Sequence, residues 1–268
     1  MLSFSRAAAL ALIAVALPIA GCSNNKSKGD IPYVARDVGS LYSVAKQLLD
    51  SGRYLEAAQL FDEVERQHPY SIWARRAQLM SAFSYYLDGT YQKAIDSSQR
   101  FLAVHPGNRD APYAYYLIAL SYYERISDVT RDQKITQQAL DSLGELTRRY
   151  PASRYAADAR LKIDLVRDHL AGKEMEIGRF YEKRGDWLAA NMRFRHVIEN
   201  FQSTTHVPEA LMRLTETYLA LGIRQEALKS AAVLGANYPG TVWYKRAYEL
   251  MQKNPVPAPT PAEEPKKA

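Results

Sequence analysis

An alanine followed by a proline twelve residues later recurs along this chain and constrains its fold more than any other feature. The pairs are Ala57 with Pro69, Ala94 with Pro106, Ala139 with Pro151 and Ala227 with Pro239, while Ala190 is followed at the same spacing by Gln202. A glycine lies five residues before four of these alanines (Gly52, Gly89, Gly185 and Gly222), and an aromatic residue lies three before three of them (Tyr54, Tyr91 and Trp187). Repetition at fixed offsets predicts several copies of one structural unit.

The spacing of the alanines identifies the unit. Successive alanines are 37, 45, 51 and 37 residues apart, at or above the period of about 34 residues in a tetratricopeptide (TPR) helical hairpin. Glycine allows the turn between the helices, alanine allows their close approach, and proline ends the second helix. Hairpins bury their apolar faces only by stacking, and stacking curves them into a superhelix with a concave side. We predict an all-α TPR superhelix of five helix–turn–helix repeats plus a C-terminal capping helix.

Changes in composition divide the chain into five segments. We predict a signal peptide (1–21), a flexible tether that begins at Cys22 (22–37), an N-terminal half with repeats 1–3 (38–152), a C-terminal half with repeats 4–5 and the cap (153–253), and a disordered Pro-rich tail (254–268). A polar insertion, Ile126 to Lys134, accounts for the spacing of 45 residues. The run from Ser153 to Arg184 contains no proline, so it predicts one long helix, or two nearly continuous ones with a kink at Gly172.

The N-terminus has the features of a bacterial lipoprotein signal. Arg6 precedes an apolar run, Ala7 to Leu17, that is too short to span a bilayer, and Ile19-Ala20-Gly21-Cys22 resembles the lipoprotein box. The resemblance implies S-diacylglycerol and an N-acyl chain such as palmitate on Cys22, which together anchor a protein stably. Ser23 in place of aspartate implies the outer membrane, with the body of the protein in the periplasm. The alternative is an ordinary cleavage site next to an incidental cysteine.

Composition and motifs argue against nucleic-acid binding and against enzymatic activity. The formal net charge is only +6, with basic and acidic residues interspersed, so no basic stripe indicates nucleic-acid binding. The histidines show no metal-ligand spacing, and no nucleophile elbow, Walker loop or dinucleotide motif occurs. We therefore expect no enzymatic activity, no metal and no cofactor other than the covalent lipid.

Lipoprotein box and repeats together resemble the BamD (ComL) family of TPR lipoproteins in the outer-membrane β-barrel assembly (Bam) complex. The segments that carry the resemblance are 19–22, 52–58, 68–71, 89–91, 105–106, 150–153 and 181–187. It implies binding to BamA, to other Bam lipoproteins and to nascent outer-membrane proteins, whose folding and insertion the family promotes. The stretch Arg125 to Lys134 and the Pro-rich tail depart from the family pattern. The alternatives are another periplasmic TPR lipoprotein scaffold, such as a secretin pilotin or cell-envelope coordinator, or a peptidoglycan lytic enzyme with a helical superhelix.

Candidate peptide-binding residues lie on the first helix of each N-terminal repeat. Counting from the alanines assigns to the concave side Tyr42, Lys46, Arg76, Phe83, Tyr86, Tyr113, Tyr116 and Tyr123. Aromatic residues with one polar edge suit an extended peptide with aromatic side chains, and Lys46 or Arg76 offers a partner for a carboxylate. The family resemblance implies that the peptide is the signal strand of an unfolded outer-membrane protein, ending in an aromatic residue. Alternatively, these tyrosines pack between helices, as expected for Tyr85 and Tyr122.

The C-terminal half contains the candidate BamA-binding residues. Arg193 aligns with an arginine of the family, and Arg184 and Arg195 are expected to join it in a cationic patch for acidic groups. The alternative is a solvated helical face.

Overall fold

The computed structural model describes residues 37–255, and within this range the chain forms eleven α-helices and no strand. The helices are α1 (Val38–Asp50), α2 (Tyr54–Gln67), α3 (Ile72–Leu87), α4 (Tyr91–Val104), α5 (Ala111–Tyr123), α6 (Lys134–Arg149), α7 (Arg154–Lys183), α8 (Trp187–Asn200), α9 (Val207–Ala220), α10 (Arg224–Asn237) and α11 (Val242–Lys253). The predicted signal peptide, Cys22, nearly all of the tether and the tail from residue 256 lie outside the described residues.

Turns within the helical hairpins form as the glycines predict. Gly52, Gly89, Gly185 and Gly222 all have φ of +77° or +78° and lie between the two helices of a hairpin. This left-handed conformation strains residues with a Cβ atom. In the first turn, Arg53 N–H donates to Leu48 O, so the end of α1 is satisfied before α2 begins. The paired, antiparallel helices confirm the all-α TPR architecture.

The repeat alanines are all completely buried. Ala57, Ala94, Ala139, Ala190 and Ala227 are 0% exposed. Each lies in the second helix of a hairpin, where a larger side chain would push the two helices apart. Large side chains fill the space around them, and Phe61, Phe101 and Phe194 are the largest that are fully buried.

A single helix of 30 residues, α7, connects the third and fourth repeats. Ser153 caps it by accepting a hydrogen bond from Ala156 N–H. Its first half packs Ala159 and Val166 into the cluster of α5 and α6, while its second half packs Met175 against Phe194 of α8. One continuous helix therefore contributes to two hydrophobic clusters, as predicted for this run. The glycine expected to kink it, Gly172, lies inside the uninterrupted helix.

Successive first helices contact one another directly. α1 touches α3, α3 touches α5, and α5 touches α7, whereas α2, α4 and α6 make no comparable contacts among themselves in the described range. The first helices of successive repeats are closer to one another than the second helices are. They therefore form the inner side of the N-terminal repeats. This side carries the residues predicted for peptide binding.

Candidate functional site

The inner side of the N-terminal repeats forms an open groove of about 980 Å³. It is lined by Tyr42 of α1, by Arg75, Arg76, Leu79 and Met80 of α3, by Phe101 of α4, by Asn108, Arg109, Asp110 and Tyr113 around the start of α5, and by Arg154 and Tyr155 of α7. All three repeats of the N-terminal half and the start of α7 thus contribute to one surface.

Aromatic rings in and beside this groove form two groups. Tyr155 stacks on Tyr116 with ring centroids 5.0 Å apart and lies 5.3 Å from Tyr113, which is 6.3 Å from Phe83. The offset and tilted arrangements are those that aromatic quadrupoles favour. At the other end, the Tyr42 ring lies 4.8 Å from Trp73 and 5.3 Å from Phe61. The groove therefore has an aromatic lining residue at each end, Tyr42 on α1 and Tyr155 on α7.

Hydroxyl groups in the aromatic clusters donate to carboxylates on neighbouring helices. Tyr116 donates to Asp158 Oδ2 at 2.6 Å, and Tyr86 donates to Glu124 Oε1 at 3.3 Å. Burial, followed by the nearby Glu124 carboxylate, raises the pKa of Tyr86 to about 12. Burial also raises the pKa of Tyr113 and of Tyr116. These phenols are neutral at physiological pH, and those of Tyr86 and Tyr116 use their single O–H group in the bonds to Glu124 and Asp158.

Four arginines line the same groove: Arg75, Arg76, Arg109 and Arg154. The Arg76 guanidinium lies 5.7 Å from the centre of the Trp73 ring, and that of Arg154 lies 4.8 Å from the Tyr155 ring. Arg75 is exposed and makes no hydrogen bond or ion pair with any residue between 37 and 255. A groove that combines aromatic faces with accessible guanidinium groups suits a ligand that carries both aromatic side chains and a carboxylate.

Most of the predicted peptide-binding residues lie in or beside this groove. Tyr42, Arg76 and Tyr113 line it directly, and Phe83 and Tyr116 contact its aromatic residues. The remaining three lie outside its lining: Lys46 pairs with Asp50, Tyr86 bonds to Glu124, and Tyr123 packs beneath Lys162 at 5.4 Å. Of the two predicted partners for a carboxylate, Arg76 is the one that faces the groove.

Sequence reasoning missed Trp73, Arg154 and Tyr155. The missed signal is an aromatic residue immediately before a buried alanine near the start of a first helix. It occurs as Trp73-Ala74, Tyr113-Ala114 and Tyr155-Ala156. This pattern identifies the start of α7 as a fourth contributor to the groove.

The three arginines predicted to bind BamA do not form one patch. Arg193 donates to Glu174 of α7 at 3.1 Å, whereas Arg195 donates to Glu199 on its own helix at 2.7 Å. Residues two positions apart on an α-helix are separated by about 200° around its axis. The side chains of Arg193 and Arg195 therefore project to different sides of α8. Arg184 pairs with Asp186 at 3.2 Å. Each cation therefore has its own carboxylate, and the role of these arginines in binding stays a prediction.

Residues 37–255 contain neither a cluster of metal ligands nor a membrane-spanning helix. No group of three or more histidine, cysteine or acidic side chains there is arranged to hold a metal ion. None of the helices in this range combines the length and apolar character needed to cross a membrane.

Comparison with known proteins shows close relatives over nearly the whole chain. A protein of Caulobacter vibrioides named outer membrane protein assembly factor BamD is 50% identical, and the match covers 98% of this chain and 85% of that protein. A protein of the same name from Rickettsia prowazekii is 46% identical, covering 90% of this chain and 95% of that protein. The crystal structure of a thermophilic TPR protein from Thermus thermophilus matches with 21% identity and a TM-score of 0.37, covering 81% of this chain and 100% of that one. The model of the YfiO family, described as outer membrane lipoprotein, matches residues 35–234, and the chain therefore belongs to that family.

Proposed function

We propose that this chain is an outer membrane protein assembly factor that works without catalysis, as a binding subunit of the Bam complex. Relatives that carry the name of such a factor are up to 50% identical over nearly its full length. In this role the chain binds BamA and nascent outer-membrane proteins. It promotes the folding of the nascent proteins and their insertion into the outer membrane. Other Bam lipoproteins are its further partners.

The observation that carries the client-binding part is the groove of the N-terminal repeats, where aromatic rings and guanidinium groups share one surface. Strands of outer-membrane barrels alternate apolar and polar side chains. In an extended segment of this kind, apolar side chains all point to one face, where they meet the rings of Tyr113, Tyr116 and Tyr155. The terminal carboxylate of the client pairs with Arg75 or Arg76, because both are exposed and line the same groove as Tyr113 and Tyr155.

The second helix of the fourth repeat, α8, is the proposed contact for BamA. Leu188 and Met192 lie one turn apart on it and are each 65% exposed. Exposed apolar side chains of this size, bordered by charges, are typical of protein–protein interfaces. Arg193, which follows Met192 on α8, forms an ion pair with Glu174 of α7. Arg184 and Arg195 are proposed as peripheral contacts that affect the rate of association more than its strength.

Anchoring is proposed through lipid on Cys22, which would hold the helical repeats at the periplasmic face of the outer membrane. Several acyl chains on one residue provide stable attachment where a single chain is marginal. Mass spectrometry of the N-terminal peptide and fractionation of a Cys22→Ala variant test this proposal. Unlipidated wild-type protein, or a variant that stays in the outer membrane, would refute it.

Client binding is tested by fluorescence anisotropy with a labelled peptide from the C-terminal strand of an outer-membrane barrel protein. The double charge reversal Arg75→Glu/Arg76→Glu should weaken binding at least tenfold, because it converts attraction of the carboxylate into repulsion. Arg224→Glu/Lys229→Glu is the matched control, since it makes the same change of charge at two exposed cations of α10, away from the groove. Equal affinities for all three proteins would argue against the groove as the client site.

Membership of the Bam complex is tested by affinity purification from detergent-solubilised membranes. A C-terminally tagged chain should recover a β-barrel protein with repeated periplasmic domains, and Leu188→Asp/Met192→Asp should reduce this recovery. Recovery of a pilus secretin or of cell-wall enzymes instead would support the alternative scaffold function.

A further inference from the structure

A pocket of about 600 Å³ lies in the C-terminal repeats, where residues of α7, α8, α9 and α11 meet. Its apolar lining comes from Trp187 of α8, Leu219 of α9 and Leu250 of α11. Trp187 is 37% exposed, so its ring is accessible from solvent. An open concavity with an accessible indole ring is typical of a site that binds a polypeptide segment.

The last described residues of the chain lie at this pocket. α11 ends at Lys253, and Asn254, which lines the pocket, has the non-helical backbone angles φ −128° and ψ 65°. Pro255 disfavours the helical conformation at the residue before it, so the sequence ends the helix at this point. The Asn254 side chain donates to Leu250 O at 3.0 Å, which holds it against the end of α11. Residue 256 therefore follows the pocket lining by only two positions.

Most charged groups of the pocket are already paired with one another. Arg213 Nη1 lies 3.2 Å from Glu182 and 3.0 Å from Glu216, so an occupant does not need to bring a charge. Two donors are left over: the indole N–H of Trp187 and the ammonium group of Lys183 make no hydrogen bond with any residue between 37 and 255. The pocket thus suits an uncharged segment that is rich in hydrogen-bond acceptors.

The segment 256–262, which comes directly after the pocket in the sequence, has this chemistry. It contains no charged residue, and Pro257, Pro259 and Pro261 occupy every second position. Proline lacks the backbone N–H but keeps its carbonyl acceptor, and proline-rich segments bind grooves lined by aromatic residues. Seven residues in the polyproline II conformation span about 22 Å, which is enough to cross a pocket of this volume.

We propose that the segment 256–262 of the Pro-rich tail folds back onto this pocket, with a proline ring on the Trp187 indole and backbone carbonyl groups accepting from Trp187 Nε1 and Lys183 Nζ. Its attachment at the pocket gives the segment an effective concentration in the millimolar range. This favours the chain's own tail over a second copy or a proline-rich segment of another protein. The tail then acts as a built-in competitor, which any other ligand of the pocket must displace. The inference goes beyond the proposed function and does not depend on it.

The indole N–H signals in ¹⁵N NMR spectra test this proposal, because the chain has only three tryptophans. The protein is produced from Ser23 onward, and Trp187→Phe identifies the signal of Trp187. A chain truncated after Pro255 gives the position of this signal without the segment. With the complete tail the signal should lie elsewhere, and Pro257→Ser/Pro259→Ser/Pro261→Ser should move it to the truncated position. The signal of Trp73 in the N-terminal repeats should stay unchanged, which also shows that each variant is folded.

The matched control, Lys266→Ser/Lys267→Ser, changes the tail outside the proposed segment and should leave the Trp187 signal where the complete tail puts it. An identical Trp187 signal in the complete and truncated chains would overturn the proposal. A proline variant that keeps the signal of the complete chain would overturn recognition of the prolines. A difference that disappears on dilution would assign the segment to a second copy and overturn the intramolecular arrangement. None of these measurements involves BamA or a client, so the proposed function is tested separately.

Discussion

The hydroxyl of Tyr116 donates a hydrogen bond to Asp158 Oδ2 at 2.6 Å and thereby joins α5 to α7 across the aromatic cluster of the groove. Asp158 also accepts from Lys162 at 3.0 Å, one turn further along α7. The ring of Tyr116 stacks on Tyr155 of the same helix. Position and orientation of this ring are therefore fixed by one polar and one aromatic contact, so it is held ready to contact a ligand.

Tyr116→Phe removes the polar contact and keeps the ring. We expect a loss of about 1 kcal/mol in the free energy of unfolding, because Asp158 keeps only its lysine partner. Urea titration followed by circular dichroism measures the change. Tyr248→Phe is the control: Tyr248 is 52% exposed, and its hydroxyl has no hydrogen-bond partner among residues 37–255. Equal losses in the two variants would mean that the bond to Asp158 contributes nothing specific.

The hairpin glycines provide a second prediction. Gly185→Ala should destabilise the protein by about 1 kcal/mol, since alanine at φ of +78° is strained although nothing lies within 4 Å of the added Cβ. The matched control is Gly144→Ala in α6, where the same methyl group also meets open space but the backbone is helical. There we expect stabilisation of up to about 1 kcal/mol. Urea midpoints that shift in the same direction for both variants would contradict the backbone explanation.

Gly178 tests the close packing of α7 on α8. A Cβ added at this position would lie 2.8 Å from Cδ1 and Cζ of Phe194, and closer still to Cε1, in a side chain that is completely buried. We expect Gly178→Ala to cost about 1–3 kcal/mol, because the phenylalanine ring must move within a filled core. The cost should shrink when Phe194→Leu is introduced in the same chain, and chemical denaturation of the single and double variants measures this coupling. A full, undiminished cost in the double variant would refute contact with the ring as its cause.

Most of the fold was predictable because many of its key residues have a structural role within a single hairpin. The positive-φ glycines, the buried alanines and the prolines each act within one hairpin, so their offsets predicted where a hairpin turns and where its second helix ends. The proline-free run from Ser153 to Arg184 likewise forms one helix, α7, with bounds Arg154–Lys183.

The site was less predictable because it is assembled from elements distant in sequence. Tyr155 stacks on a residue 39 positions earlier, and nothing in the hairpin offsets relates the start of α7 to α5. The expected cationic patch does not form because closeness in sequence does not place two side chains on the same face of a helix. Arg193 and Arg195 lie about 200° apart around α8. Helical geometry applied at the outset would have separated them.

The last prediction concerns a partly buried carboxylate in the C-terminal repeats, that of Glu182. Glu182 lies 3.2 Å from Arg213, but burial and then the neighbouring Glu216 and Glu209 outweigh that arginine and raise the pKa of Glu182 from 4.5 to about 7. The folded protein therefore holds this proton more tightly than the unfolded chain does. Protonated Glu182 therefore contributes its full stabilisation below pH 4.5, and this contribution is lost as the pH rises through 7.

Glu182→Gln should remove this part of the pH dependence, because glutamine stays neutral throughout. Relative to wild type, the variant should gain stability as the pH rises from 4.5 to 7, and it should show no further relative change above about pH 8. Arg213 retains Glu209 and Glu216 as partners in the variant. Urea unfolding at a series of pH values measures the difference, with Glu249→Gln as an exposed control that should follow wild type. A difference between Glu182→Gln and wild type that stays constant from pH 4.5 to 8 would show that this carboxyl group is already ionised in the folded protein.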